Sequence, residues 1–119
     1  MPDCRGAFSS RGYNLISRND NNVCSGLVNG VNADQVGSAA NPIDPLLAAL
    51  ANNGGSTQTH ALLPGSSALN AGNPLAPGSG GLACPASDQR GIVRPQGSAC
   101  DIGAFEFEYR SLYLPLILR

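Results

Sequence analysis

The sequence of 119 residues has no tryptophan and no lysine, and it contains one methionine and one histidine. Charged residues make up only 13% of the chain, and the net charge is −1. Because binding to nucleic acid or to an anionic membrane surface needs a basic patch, the composition argues against both partners. The apolar tail at residues 112–118 is much shorter than the roughly 20 residues that span a bilayer, so no transmembrane span is predicted.

Turn-forming residues far outnumber aromatic ones. The chain has 15 glycines, 9 prolines and 11 asparagines, against three phenylalanines and three tyrosines. This composition predicts short strands separated by many turns. We therefore expect a loop-rich, all-β structure with at most one short helix, formed by one domain or by a part of one.

The number of cysteines is even, which is compatible with two disulfides and permits three pairings. We expect Cys4–Cys24 and Cys84–Cys100, because each pair brackets one turn-rich segment. Free thiols and a zinc site are the alternatives, although zinc sites usually contain closely spaced pairs, and here the nearest two cysteines are 16 positions apart. Two disulfides would indicate an oxidising compartment.

The N-terminal segment has no apolar stretch, so it is not a secretory signal peptide. A chain with disulfides and no such signal is expected to be the C-terminal part of a longer exported protein. The alternative is a cytoplasmic protein with free thiols.

Short apolar segments bounded by turn residues predict strands over residues 13–17 and 57–63. The asparagine- and aspartate-rich residues 19–22 lack the spacing and the glutamate of a calcium-binding EF-hand loop, which favours a turn over a metal site. Residues 46–50 follow an Asp-Pro pair and predict either a short helix or a coil that packs the same leucines.

The last predicted strand takes in Ile102 and Ala104 and extends over residues 105–109, with Glu106 and Glu108 on one side and the aromatic residues on the other. His60 is the only histidine, so a histidine-dependent active site would rest on it. No G-x-S-x-G motif accompanies it. We interpret His60 as a structural residue and predict no catalytic residue, no cofactor and no metal.

The most distinctive stretch contains Asp88, Arg90, Arg94 and Asp101 among turn residues. In polysaccharide lyases, carboxylates bind calcium and an arginine abstracts a proton, so this set is a candidate for such chemistry. The simpler interpretation is that the two arginines flank a short strand, residues 92–93, and pair with Asp88 or Asp101 to lock the turns.

The chain resembles the choice-of-anchor Q domain from about Gly12 to Glu106. The resemblance is carried, in this order, by G-Y-N-L-I, D-Q-V-G, I-D-P-L-L-A-A-L, N-N-G-G-S-T-Q-T-H-A-L-L-P-G-S-S-A-L-N-A-G and C-P-A-S-D-Q-R-G-I-V-R-P-Q-G-S-A-C-D-I-G-A-F-E. This domain stands at the C-terminal end of bacterial surface proteins with right-handed parallel β-helix, pectin-lyase-like repeats, and it carries no established catalytic motif.

The resemblance implies the terminal coils and cap of a right-handed parallel β-helix. Residues 1–30 would be the last coil or its lead-in, 31–106 the cap, and 107–119 an apolar tail. The expected function is a non-enzymatic structural and adhesive module of an exported bacterial protein, extracellular or in the cell envelope, that links the solenoid to an anchor. Its partners would be the preceding coils of the same protein, and cell-envelope components or surface carbohydrate. The alternative is a fragment of a β-helix polysaccharide lyase or glycoside hydrolase.

Overall fold

The computed structural model describes residues 1–109, in which regular elements are few and short. They are β1 (Gly6–Ala7), β2 (Leu15–Ile16), a 3₁₀ turn (Asp20–Asn22), β3 (Cys24–Ser25) and β4 (Gln35–Val36). No α-helix occurs in this part of the chain, which confirms the expectation of a loop-rich structure with at most one short helix. The strand predicted over residues 13–17 is reduced to β2.

The four strands form two parallel pairs. β1 pairs with β3, where Gly6 lies opposite Cys24, and β2 pairs with β4, where Leu15 lies opposite Gln35. Each strand therefore pairs with a segment 18 to 20 positions later in the chain. A parallel pair cannot be closed by a tight hairpin, so the chain must travel back to its starting side between the two strands.

Beyond β4 the chain is held by isolated antiparallel bridges. Leu47 pairs with Leu62 and Ala51 with Thr59, which folds residues 46–63 into an arch. The residues predicted as a helix or a coil thus form a coil, and Leu46 has a left-handed φ of 51°. The strand predicted over residues 57–63 is present only as these two bridges.

The interior holds more polar than apolar side chains. The buried apolar residues are Cys24, Leu27, Leu62, Ala68 and Cys100, whereas the buried polar or charged residues are Asp34, Thr59, Ser66, Asn73, Asp88, Arg94, Asp101 and Glu106. Buried polar groups are stable only when they are hydrogen-bonded. The fold must therefore depend on specific hydrogen bonds and covalent links more than on an apolar core.

Two disulfides, Cys4–Cys24 and Cys84–Cys100, supply the covalent links, so the predicted disulfides and their pairing are confirmed. Cys24 and Cys100 are fully buried. The backbone of Gly72 passes directly beside the second disulfide, and its N–H donates to the Cys100 carbonyl at 2.8 Å. A β-carbon at position 72 would overlap Cys100 Sγ, so only glycine fits there.

The strand predicted over residues 105–109 does not form. These residues pair with no neighbouring strand, because the N–H groups of Glu106 and Phe107 donate to side-chain carboxylates. Phe107 and Tyr109 still contact each other edge to face, with ring centroids 5.0 Å apart. The apolar tail Leu112–Leu118 lies outside the described residues.

We predict that removing the second disulfide with Cys84→Ser and Cys100→Ser lowers the free energy of unfolding by about 3 kcal/mol, because the closed loop restricts the unfolded chain. Denaturant titration measures this change. Adding a reductant to the wild-type chain should lower its stability further, since it also opens the first disulfide. Peptide mapping that finds a Cys4–Cys100 crosslink would contradict the pairing.

Candidate functional site

Three carboxylates and two arginines of the distinctive stretch come together and form the charged cluster: Asp88, Arg90, Arg94, Asp101 and Glu106. Its carboxylates are almost fully removed from solvent, with exposed fractions of 6% for Asp88, 1% for Asp101 and 0% for Glu106. Burying ionised groups is costly unless they are paired and hydrogen-bonded. The cluster is therefore the place where the arrangement of partners must be most complete.

Asp88 holds the turn that follows it. Its Oδ1 accepts hydrogen bonds from the backbone N–H groups of Arg90 at 2.8 Å and Ile92 at 3.0 Å. Its Oδ2 accepts from the N–H of Glu106 at 2.8 Å and from the guanidinium of Arg90 at 2.8 and 3.0 Å. One side chain thus joins the start of the stretch to its end.

Asp101 performs a similar task between two other segments. Its two carboxylate oxygens accept from the backbone N–H groups of Asn70 and Phe107, both at 2.7 Å. Glu106 in turn accepts from the N–H of Asp101 at 3.0 Å and from that of Gln96 at 3.2 Å. Each of the six carboxylate oxygens in the charged cluster therefore accepts at least one backbone N–H.

The two arginines add ion pairs and hydrogen bonds to backbone carbonyls within the charged cluster. Arg90 pairs with Asp88, donates to the carbonyl of Glu106 at 2.8 Å, and stacks over Phe105 with its Cζ 3.7 Å from the ring centroid. Arg94 lies 3.4 Å from Glu106 and donates to the carbonyls of Asp101 and Gly103 at 2.9 and 2.7 Å. Planar guanidinium groups suit such multiple contacts.

The sequence anticipated that Asp88, Arg90, Arg94 and Asp101 hold turns, and the structure brings all four together. Arg94 forms its ion pair with Glu106, however, and reaches Asp101 only at the backbone carbonyl. Sequence reasoning missed Glu106 because it treated residues 105–109 as a strand. The available signal was that Glu106 is one of only two glutamates and closes the D-I-G-A-F-E motif.

The environments of the carboxylates shift their acidity in opposite directions. Burial raises the pKa of Asp88, but hydrogen bonds from the N–H groups of Glu106 and Ile92 and from Arg90 outweigh it, and the pKa lies below its ordinary value. Burial raises the pKa of Glu106 above its ordinary value, and the nearby charge of Asp101 adds to this effect, against the hydrogen bonds it accepts and the charge of Arg94.

Two cavities lie beside the charged cluster. One of about 530 Å³ is lined by Arg11, Tyr13, Asp88, Arg94 and Asp101, among others. The polar groups of Asp88 and Asp101 that reach this cavity are already hydrogen-bonded within the chain. The carboxylates that line this cavity are therefore already engaged in the contacts of the charged cluster.

The second cavity, of about 460 Å³, is mainly apolar and includes Leu47, Leu50, Phe105 and His60. His60 Nδ1 donates to the Ala48 carbonyl at 2.8 Å, which agrees with its interpretation as a structural residue. Within residues 1–109, no group of three or more histidines, cysteines or carboxylates is placed to hold a metal ion. The asparagine-rich residues 19–22 form the 3₁₀ turn, and Asp20 pairs with Arg18 at 2.5 Å.

A second candidate site is the backbone edge of the two parallel pairs. In the first pair, Gly6 and Phe8 donate to the carbonyls of Val23 and Ser25. Because successive residues of a strand face opposite edges, the N–H and C=O of the intervening Ala7 face away from β3. Leu15 is placed in the same way on β2, since Asn14 and Ile16 make the bonds to β4. We call these two backbone positions the free edge.

No helix among the described residues has both the length and the apolar character needed to cross a membrane. Comparison of the chain with protein-family models, with curated proteins and with solved structures found no match in any of the three.

We predict that Glu106→Gln lowers the free energy of unfolding by about 2 kcal/mol, because an amide NH₂ then faces a backbone N–H that the carboxylate oxygen had satisfied. The matched control is Glu108→Gln, at a partly exposed glutamate 3.9 Å from Arg90, where the cost should stay below about 1 kcal/mol. Equal costs in denaturant titrations would contradict the role of Glu106.

We also predict a difference in pH dependence between the wild-type chain and Asp88→Asn. The lowered pKa of Asp88 stabilises the fold above the unfolded value of about 3.9, and this contribution is lost as the pH falls through the folded pKa. The wild-type chain should therefore lose more stability than Asp88→Asn on acidification below about pH 4. Glu106 has the opposite sign but is present in both chains. Parallel stability curves in urea titrations at several pH values would contradict this.

Proposed function

We propose that the chain is a non-enzymatic structural module that ends a right-handed parallel β-helix of an exported bacterial surface protein and connects it to an anchor. The observation that carries this proposal is the parallel pairing of strands 18 to 20 positions apart. In a solenoid each coil lies on the next, so strands pair in parallel at a nearly constant offset. The resemblance to the choice-of-anchor Q domain supports the same role.

Side-chain hydrogen bonds also join the segments that lie around the two parallel pairs of strands. Asp34, which is 2% exposed, accepts from the Ser10 hydroxyl at 2.5 Å and from the backbone N–H of Asn14 at 3.0 Å. Asp3 accepts from the N–H of Ser17 at 2.5 Å. Such bonds hold successive segments in register where the strands themselves are only two residues long.

The free edge supports a partner on the N-terminal side. A coil of the same longer protein that preceded β1 and β2 would pair with Ala7 and Leu15. Near this edge, a cavity of about 270 Å³ is lined by the apolar residues Phe8, Ile16 and Leu27 together with polar ones such as Ser10 and Asn14. The preceding coils are therefore the partner that we propose.

The region after β4 supports a capping role. It is joined to the paired strands by Gln35, whose side chain donates to the Ser67 carbonyl at 2.8 Å, and by Ile43, whose N–H donates to the Ser17 carbonyl at 3.0 Å. The charged cluster then holds its loops without a sheet. A solenoid end needs such a cover, because its last coil has no further neighbour.

Location and the absence of catalysis are part of the same proposal. Two disulfides are typical of proteins in an oxidising environment, which supports an extracellular or cell-envelope position. Envelope components or surface carbohydrate are the further partners that we propose there. The bonds that occupy the carboxylates of the charged cluster support a structural role for them. Cleavage of a polyuronate by the longer protein, lost in a folded Asp88→Asn variant, would instead favour a polysaccharide lyase.

We predict that coding sequence upstream of Met1 specifies short strands at the same spacing of 18 to 20 residues. When the chain is produced together with that segment, amide exchange at Ala7 and Leu15 should slow by about 100-fold or more, because their N–H groups become paired. Nuclear magnetic resonance measures both amides in the two proteins. Unchanged exchange at Ala7 and Leu15 would overturn the proposed function.

A further inference from the structure

The side chain of Asn19 occupies the outer edge of β3. Its Oδ1 accepts from the backbone N–H of Cys24 at 2.8 Å, and its Nδ2 donates to the Cys24 carbonyl at 3.1 Å. The carboxamide thus satisfies both backbone groups of one residue, as a residue of a neighbouring strand would. A further, longer contact of 3.5 Å joins Nδ2 to the Leu27 carbonyl.

Asn29 makes the corresponding contact with β4. Its Oδ1 accepts from the backbone N–H of Val36 at 2.9 Å. The two asparagines belong to different turns, and each turns its amide onto the strand that follows it in the chain. We call Asn19 and Asn29 the edge asparagines.

The backbone hydrogen bonds between the paired strands show which way these contacts face. Val23 and Ser25 accept from β1 and its flank, so Cys24 between them faces away from β1. Gln35 and Gly37 donate to Asn14 and Ile16, so Val36 faces away from β2. Both edge asparagines therefore lie on the side opposite to the free edge.

The two ends of the stack of strands differ as a result. On one side, Ala7 and Leu15 present backbone groups that make no hydrogen bond within residues 1–109. On the other side, side-chain amides bond the N–H and C=O of Cys24 and the N–H of Val36. An uncovered strand edge is a template for pairing with another chain.

We propose that the edge asparagines are built-in stops that prevent the free edge of one copy from pairing with the outer edge of another. Such a contact would join unlike surfaces, and it would extend into an open-ended stack. With the stops in place, a strand can be added only at Ala7 and Leu15. The inference deepens the proposed function in one respect, because it leaves the free edge to a preceding coil.

Asparagine suits this task because its carboxamide carries one acceptor and one donor group, like the backbone itself. An alanine at either position would leave the strand edge to solvent or to another chain. The test is therefore the double variant Asn19→Ala and Asn29→Ala, compared with the wild-type chain by sedimentation velocity over a 100-fold range of concentration.

We expect the mass of the double variant to rise continuously with concentration, as in head-to-tail stacking. The wild-type chain should stay a monomer or stop at a closed dimer, because two free edges can pair only once. Adding Ala7→Pro to the double variant removes an N–H of the free edge that makes no hydrogen bond within residues 1–109, and it should weaken the stacking at least 10-fold. A folded double variant of constant mass, or open-ended growth of the wild-type chain, would overturn the proposal.

Amide exchange in the wild-type chain decides the matter if the double variant does not fold. The N–H groups of Cys24 and Val36 should exchange at least 10-fold more slowly than those of Ala7 and Leu15. Equal exchange rates at the two edges would overturn the proposal that the edge asparagines act as stops, and they would leave the proposed function untouched. Slow exchange at Cys24 and Val36, with no added protection of Ala7 and Leu15 by an upstream segment, would overturn the proposed function alone.

Discussion

The need to satisfy backbone N–H groups with very little sheet governs residues 1–109. Strands of two residues supply few ladder bonds, and buried polar backbone groups are costly when they are left unpaired. Side-chain oxygens take over this task throughout. Asp34 and Asp3 hold the paired strands, Asn19 and Asn29 cover their outer edges, and the charged cluster holds the loops that follow.

This arrangement explains how a chain that buries few apolar side chains can bury charged groups. The carboxylates of the charged cluster are costly to remove from water, but together they accept seven backbone N–H bonds. Their contribution is therefore specificity of loop conformation, with the two arginines balancing the charge. Because every carboxylate oxygen of the cluster accepts a backbone N–H, these side chains fix the loops that meet there.

The sequence predicted the parts of the structure that depend on local chemistry. The pairing of the cysteines, the loop-rich character and the turn-holding role of Asp88 and Arg90 follow from residue types and short spacing. Glu106 could not be placed, because its alternation with aromatic residues also fits a strand. The register of the two parallel pairs could not be predicted from the sequence, for a different reason. Pairing between segments 18 to 20 positions apart leaves no repeated motif when each strand has two residues.

The first disulfide has a mechanical consequence for the role proposed above, between a solenoid and an anchor. Cys4 is joined to Cys24, which lies opposite Gly6 in the first parallel pair. A force that pulls on the N-terminal end therefore passes through the sulfur atoms to β3 and bypasses residues 5–23. The second disulfide shields residues 85–99 in the same way. Under tension, the intact chain can lengthen only through the segments that these covalent bonds leave outside their loops.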